Sequence, residues 1–110
     1  MTYLRRHRGS ITGLDYWFEV DEDRRGTAEA LALAEEVQGV MDTAREAQFA
    51  AIDRFLTYML VDWNLKDEQG AALPIALERI AELPRQQRFD MAQSIVRVAR
   101  PWWRRWPKRR

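Results

Sequence analysis

The sequence has no cysteine, one histidine and no long apolar run. The missing cysteines exclude disulfide bonds and thiol chemistry, and with only one histidine a structural zinc site lacks ligands. A transmembrane helix needs about 20 consecutive apolar residues, and no segment approaches that length. The chain of 110 residues, 46% hydrophobic and 32% charged, is typical of one globular domain, and the absence of cysteine fits a reducing compartment such as the cytoplasm.

Charge is distributed unevenly along the chain. The formal net charge is +1, but every acidic residue precedes position 101, whereas residues 101–110, "PWWRRWPKRR", hold five Lys/Arg and three Trp. The body of the chain is therefore acidic and its end strongly basic. Such a division suggests an anionic partner or a contact within the molecule.

The N-terminal residues predict a β-hairpin. In residues 14–20, large apolar side chains alternate with polar side chains or Trp17, and this period of two indicates a half-buried strand. Residues 2–4, "TYL", are its candidate partner across a glycine-containing turn. The segment 21–26, "DEDRRG", is predicted to be a polar loop.

Helical spacing dominates the middle of the chain. Thr27 is a candidate N-cap for a helix with the apolar residues Leu31, Ala34, Val37 and Met41. This helix either breaks at residues 39–43, where Thr43 and Glu46 form a candidate capping box, or runs on. The clearest helix follows, with an apolar stripe of Phe49, Ile52, Leu56, Met59, Leu60 and Trp63.

Turn-forming residues and prolines divide the chain after residue 63 into a turn and two helices. The segment 64–70, "NLKDEQG", predicts a β-turn in which the glycine supplies a positive φ. Pro74 favours the start of a short helix, and Pro84 favours the start of the last one. The last helix has a broad apolar face over residues 89–99, and we expect Pro101 to stop it.

These patterns predict a mainly α fold, namely a small bundle of about four helices with a short N-terminal β-hairpin and an irregular basic C-terminal tail. The predicted division is a hairpin and loop over residues 1–26, a helical domain over residues 27–100, and a Trp/Arg-rich tail over residues 101–110.

No arrangement of residues marks a catalytic site. His7 lies within "RRHR", and we expect a solvated loop histidine whose pKa is depressed by the arginines. The acidic residues 21–23 precede two arginines that would repel a cation, and they lack the spacing of a calcium loop, so a solvated turn is expected. Neither a phosphate-binding loop nor a strained nucleophile is visible. We therefore expect no catalytic activity, no cofactor and no metal.

Residues 55–84, "FLTYMLVDWNLKDEQGAALPIALERIAELP", combine common elements in an unusual order. An amphipathic helix ends in "DWNL", an acidic turn with glycine follows, and "LP" stands before and after a short helix. This segment resembles the tail assembly chaperones of long-tailed, siphovirus-type bacteriophages, particularly those of actinobacterial phages. In that family a helix ending in a WN-type motif is followed by a D-E-x-G turn and a proline-initiated helix.

The resemblance implies a function in assembly. Members of the family bind the tape-measure protein, a long and largely helical chain, keep it soluble and help to recruit tail-tube subunits around it. They are not enzymes, they act in the cytoplasm of the infected bacterial host, and they are usually absent from the mature virion. Many also occur in a longer, frameshifted form.

A helical protein can hold a partner helix in an apolar groove. The stripes at 49–63 and 89–99 are wide enough to supply both a core and such a groove, and methionines would let its surface adapt; the alternative is that the stripes pack on one another. Trp63 is itself expected in the core. The candidate partner-binding residues are Met59, Trp63, Asn64, Trp102, Trp103, Arg104, Arg105 and Trp106.

Four interpretations of the tail remain open. It can dock on an acidic protein surface, including the body of this chain, bind nucleic acid through phosphates and bases, bind a membrane surface, or pack on the last helix. The alternatives to a chaperone are a small nucleic-acid-binding regulator that uses the basic tail and a structural minor tail or connector protein of the virion.

Overall fold

Helices pack against one face of a three-stranded antiparallel sheet. The computed structural model describes residues 3–40 and 43–104, with side chains as far as Val96. In chain order the elements are β1 (Leu4–Arg8), β2 (Trp17–Asp21), a 3-10 helix (Glu22–Arg24), α1 (Ala28–Gly39), α2 (Arg45–Met59), β3 (Leu60–Trp63), α3 (Leu77–Ala81) and α4 (Arg85–Arg104).

The prediction of a mainly α bundle is wrong, because β3 completes a sheet with the strand order β1-β2-β3. The apolar stripe of α2 continues through Leu60 and Trp63, which is why the sequence predicts a longer helix there. Both side chains are buried, but on an extended chain that pairs Leu60 with Val20 and Trp63 with Phe18. The register shifts between Glu19 and Val20. Because of this bulge, Leu60 and Trp63 lie on the same face of the strand although they are three positions apart. A spacing of three usually favours a helix, so the sequence pattern is misleading here.

The N-terminal hairpin is present with a different first strand. β1 consists of "LRRHR" rather than residues 2–4, and it pairs antiparallel with β2. The predicted alternation is confirmed from Tyr16 to Val20, since Tyr16, Phe18 and Val20 are buried while Trp17 and Glu19 are half-buried. Leu14, predicted to begin this pattern, lies before the strand and is 41% exposed. One face of the sheet therefore packs on the helices, and the other carries the more accessible side chains.

Helix α2 is central and contacts α1, α3 and α4. Burial of a large apolar side chain contributes about 1.5–3 kcal/mol, so this layer supplies much of the stability. The buried core consists of Tyr16, Phe18, Val20, Ala30, Ile52, Phe55, Leu56, Met59, Leu60, Trp63, Ile80, Met91, Ala92 and Ile95.

Helix α1 begins where predicted, and its core face includes two of the predicted residues but not Leu31. The Oγ1 atom of Thr27 accepts a hydrogen bond from the Ala30 amide at 3.2 Å, which confirms Thr27 as the N-cap. Leu31, predicted to face the core, is 55% exposed. Ala34 and Val37 pack on the core as predicted, and Ala30 and Leu33 complete the stripe in place of Leu31. Met41 lies outside the described residues.

The helical segment is interrupted between α1 and α2, which is one of the two predicted alternatives. Helix α1 ends at Gly39. The predicted capping box is wrong, because the Thr43 hydroxyl donates to the Val40 carbonyl and Ala44 occupies the N-cap position of α2 without a side-chain bond. Because α2 begins at Arg45, Thr43 lies one position before the N-cap and its hydroxyl does not accept from the first turn of the helix.

Helix α4 passes through Pro101, so the predicted stop at this proline is wrong. Proline inside a helix removes one hydrogen bond and can kink the helix, but it does not have to end it. The predicted irregular tail is helical in backbone through Trp102, Trp103 and Arg104, whereas Arg105 and Trp106 lie outside the described residues. In the described part of the chain, no helix has the length and apolar character required to cross a membrane.

Candidate functional site

One carboxylate on α4 fastens the loop between β1 and β2. Asp90 accepts hydrogen bonds from the Ser10 amide at 3.0 Å, from the Ser10 hydroxyl and from the Tyr16 hydroxyl. We call these three residues the Asp90 cluster. Burial raises the pKa of the Tyr16 phenol, and the bond to the Asp90 carboxylate raises it further, so Tyr16 remains a donor at ordinary pH.

Gly9 allows the loop to pack tightly on Tyr16. A Cβ atom at Gly9 would lie 2.0 Å from the Tyr16 ring. The Gly9 amide donates to the Tyr16 carbonyl at 2.9 Å, which continues the hairpin ladder beyond β1. Only glycine fits between this hydrogen bond and the ring that reaches Asp90.

An open cleft of about 460 Å³ lies beside the Asp90 cluster, and we call it the loop–α4 cleft. Phe89 lines it and is 38% exposed. Gln86 and Gln93 lie about one helical turn before and after Phe89, and loop residues 10–12 form the opposite wall. An aromatic side chain between two amides can bury an apolar side chain of a partner while bonding polar groups beside it.

The apolar stripes predicted to form a groove pack mainly on one another. Met59 and Met91 are only 1% and 0% exposed, so neither presents an adaptable surface. Among the apolar side chains of the second stripe described as far as Val96, Phe89 is the exposed one, because it lies on α4 away from the buried row of Met91, Ala92 and Ile95. In the described part of the chain, no group of three or more His, Cys, Asp and Glu side chains could hold a metal ion.

The WN motif of the resemblance forms a corner between the sheet and the following loop. The Trp63 indole is 5% exposed and donates from Nε1 to the Leu73 carbonyl at 2.7 Å. The Asn64 amide donates to the Trp17 carbonyl at 3.3 Å, and Asn64 Oδ1 accepts from the Trp17 amide at 2.9 Å. Asn64 thus extends the ladder with its side chain, rather than adopting a left-handed conformation.

The acidic turn of the motif is confirmed as a β-turn. The Gly70 amide donates to the Asp67 carbonyl at 3.0 Å, and Gly70 has a φ of +85°. Asp67 Oδ1 accepts from the amides of Gln69 and Ala71, both at 2.9 Å. The carboxylate of Asp67 therefore organises its own turn. The contacts of Trp63, Asn64 and Asp67 therefore stabilise the fold of this chain.

A buried ion pair between α2 and α4 was not predicted from the sequence. Arg88 Nη1 lies 3.1 and 2.9 Å from the two carboxylate oxygens of Asp53, and Arg88 Nε donates to the Leu83 carbonyl at 3.0 Å. The guanidinium also lies 4.9 Å from the centre of the Phe49 ring. Burial raises the pKa of Asp53 and outweighs the opposing effect of Arg88. Residue 53 lies four positions after Phe49, so the helical pattern itself places it on the buried face.

His7 is not a solvated loop residue, and that prediction is wrong. It lies in β1, where its ring stacks on Phe18 with 5.1 Å between the centroids. Its Nε2 atom is buried without a hydrogen-bond partner. The pKa of His7 is lowered, chiefly by burial and secondarily by Arg25 and Arg5, against an opposing effect of Glu22.

The acidic segment 21–23 is also more than a solvated turn. Glu22 accepts from Arg25 Nε at 2.7 Å and from Arg25 Nη2 at 2.8 Å, and this bidentate bond lowers the pKa of Glu22. Arg25 also donates to the Ile95 carbonyl of α4 at 2.7 Å. The segment therefore connects the sheet to the helical layer.

Comparison of the chain with protein-family models, with curated proteins and with solved structures gave no match. The candidate tail residues Trp102, Trp103 and Arg104 have described backbone only, at the end of α4. Phe89 and the Asp90 cluster are the site residues that sequence analysis did not select. Phe89 has a usable signal, an aromatic at the border of an apolar face, whereas the partners of Asp90 are remote in sequence.

Proposed function

We propose that this chain is a non-catalytic tail assembly chaperone of a long-tailed bacteriophage, which binds the tape-measure protein and helps to recruit tail-tube subunits. The order of motifs in residues 55–84 supports membership of this family. The exposed side chain of Phe89 in the loop–α4 cleft supports a protein-binding role. The cleft is the observation that carries the mechanism, because it offers an apolar contact beside a rigid helix.

The mechanism is the docking of a partner helix along α4. An apolar side chain of that helix covers Phe89, and the flanking Gln86 and Gln93 contact polar groups at its sides. Aromatic side chains that become fully buried at an interface commonly contribute about 2 kcal/mol or more to binding. The Asp90 cluster holds the opposite wall in place, so little ordering is needed when the partner binds.

Co-expression with the tape-measure protein of the same genome tests this function. We expect the chain to raise the solubility of the tape-measure protein and to co-purify with it. Phe89→Ala is expected to weaken the complex by about 30-fold, as measured by titration calorimetry, because about 2 kcal/mol of contact is lost.

Leu77→Ala is the matched control, since Leu77 is 44% exposed on α3 and does not line the cleft. It should bind as the unmodified chain does. If co-expression changes neither solubility nor co-purification, the proposed function is refuted. Equal affinities of the Phe89 and Leu77 variants would instead reject the cleft as the binding site. Mass spectrometry of purified particles separates a chaperone, which is absent from the virion, from a minor tail or connector protein.

The basic end of the chain favours a second candidate, a nucleic-acid-binding regulator. Residues 101–110 carry five Lys/Arg and three Trp, which suit phosphate contacts and base stacking. This function predicts DNA or RNA binding that weakens steeply with salt and is lost when residues 105–110 are removed. The cut follows Arg104 because α4 continues to that residue. A gel shift with no binding at low salt excludes this candidate.

A further inference from the structure

The outer edge of β1 is an accessible strand edge. β1 is the first strand of the sheet order, with β2 on one side. Its residues are exposed except for His7, which is half-buried. Backbone groups on such an edge have the geometry to pair with another strand.

Hydrogen bonds at the two ends of the hairpin define which groups point outward. The Gly9 amide donates to the Tyr16 carbonyl at 2.9 Å, and the Glu22 amide donates to the Tyr3 carbonyl at 2.8 Å. In an antiparallel pair the bonded positions alternate, so the odd-numbered residues of β1 bond to β2. The N–H and C=O groups of the even-numbered residues, Leu4, Arg6 and Arg8, therefore point away from β2 along the outer edge.

Two arginines on this strand are held only weakly. Arg8 pairs with Asp15 at 3.0 Å, but the two side chains are 76% and 89% exposed, which makes this a weak surface contact. Arg5 is 3.9 Å from a Glu22 oxygen whose carboxylate already binds Arg25. Arg6, in contrast, pairs with Glu19 and lies 3.8 Å from the Trp17 ring.

We propose that the outer edge of β1 binds an extended, acidic segment of a partner protein by strand addition. The main-chain groups of Leu4, Arg6 and Arg8 supply the ladder, and Arg5 and Arg8 supply charge complementarity. These two arginines are three positions apart and point to opposite faces of the sheet. The segment that fits therefore carries two acidic residues, also three positions apart, on its own opposite faces.

The test uses a labelled Thr/Val peptide of about seven residues, a common strand length, with two glutamates three positions apart. We expect binding at low salt, measured by fluorescence anisotropy, that weakens as salt is added. Hydrogen exchange followed by NMR should show slower exchange at the amides of Arg6 and Arg8. The Arg5 and His7 amides should change little, because they already bond to β2.

Variants separate the ladder from the charges. Arg5→Gln and Arg8→Gln should each weaken binding by about fivefold. Arg79→Gln is the matched control, because Arg79 lies on α3, pairs with Glu82 and is 48% exposed, close to the 45% of Arg5. It should leave the affinity unchanged. A peptide N-methylated at the residues that face β1 should lose at least tenfold in affinity, since it lacks the ladder donors.

Three results would overturn the proposal. One is equal affinity for the N-methylated peptide, which would mean a contact through charge alone. Another is the absence of binding at millimolar peptide and low salt, which would leave the arginines as protection against strand aggregation. The third is self-association of the free protein, detected as concentration-dependent sedimentation that persists at millimolar peptide, which would mean that a second copy rather than an acidic segment occupies β1.

Discussion

Removal of Arg88 tests the electrostatics of the core most directly. The Asp53 and Arg88 side chains are 7% and 10% exposed, and the pair adds a bond to the Leu83 carbonyl and a contact with the Phe49 ring. Arg88→Met keeps much of the side-chain volume but leaves a carboxylate buried without its partner. Breaking a buried pair in this way costs about 3–5 kcal/mol, a large part of the total stability of a small domain.

The stability lost in the Arg88→Met variant should be larger at neutral pH than at acidic pH. In the Arg88→Met variant, burial acts on Asp53 without the opposing effect of Arg88, and only the weaker effect of Arg54 remains, so the pKa of Asp53 rises above the already raised value of the native pair. A carboxyl group with a raised pKa in the folded state stabilises the fold below its unfolded pKa of about 3.9, and this contribution is lost as the pH rises through the folded pKa. The variant should therefore lose more stability relative to the unmodified chain at pH 7 than at pH 4.

Urea unfolding, followed by tryptophan fluorescence at both pH values, measures these differences. The double variant Asp53→Leu/Arg88→Met should recover much of the loss at pH 7, because no buried charge remains. Arg79→Met, which breaks an exposed pair with Glu82, should cost less than about 1 kcal/mol. If the single and double Arg88 variants unfold at the same urea concentration, the ion pair does not act as described.

The remaining predictions concern the sheet and its loop. Gly9→Ala should destabilise the fold by about 1–3 kcal/mol in thermal unfolding because of its contact with the Tyr16 ring, while Gly26→Ala, which has open space, should not. The pKa of His7 is lowered in the folded state, so stability should fall as the pH drops from the unfolded pKa of about 6.5 through the folded value. His7→Phe should remove that slope in urea unfolding at a series of pH values; an unchanged slope would contradict the assignment. Trp63→Phe should cost about 1 kcal/mol through loss of the indole bond to Leu73, and a larger loss would indicate repacking of the core.

The parts of the fold that local chemistry dictates were predictable. Thr27 caps α1 because a threonine before a helical run can accept from an amide of the first turn. The turn at residues 67–70 forms because aspartate bonds to its own backbone and glycine adopts a positive φ. Pro84 precedes α4 as predicted, with its carbonyl accepting from the Gln87 and Arg88 amides.

Non-local partners decided the rest. Leu60 and Trp63 have a spacing that suits a helix, and only pairing with β2 across a bulge makes the segment a strand. The candidate cleft follows the same rule, because Ser10 and Tyr16 meet Asp90 only after the hairpin packs on α4.

The sequence by itself determined the starts of α1 and α4, the turn, the buried alternation of β2 and the division into an acidic body and a basic end, but not the start of α3, which begins at Leu77 rather than at Pro74. Each of these depends on neighbours within about one helical turn or one strand pair, and their periods are visible in the residue order. The tertiary structure alone decided the third strand, the pairing of Asp53 with Arg88, the stacking of His7 on Phe18 and the contact of Ser10 and Tyr16 with Asp90. Those features depend on contacts between remote segments, whose energies outweigh the weak local preferences of the chain.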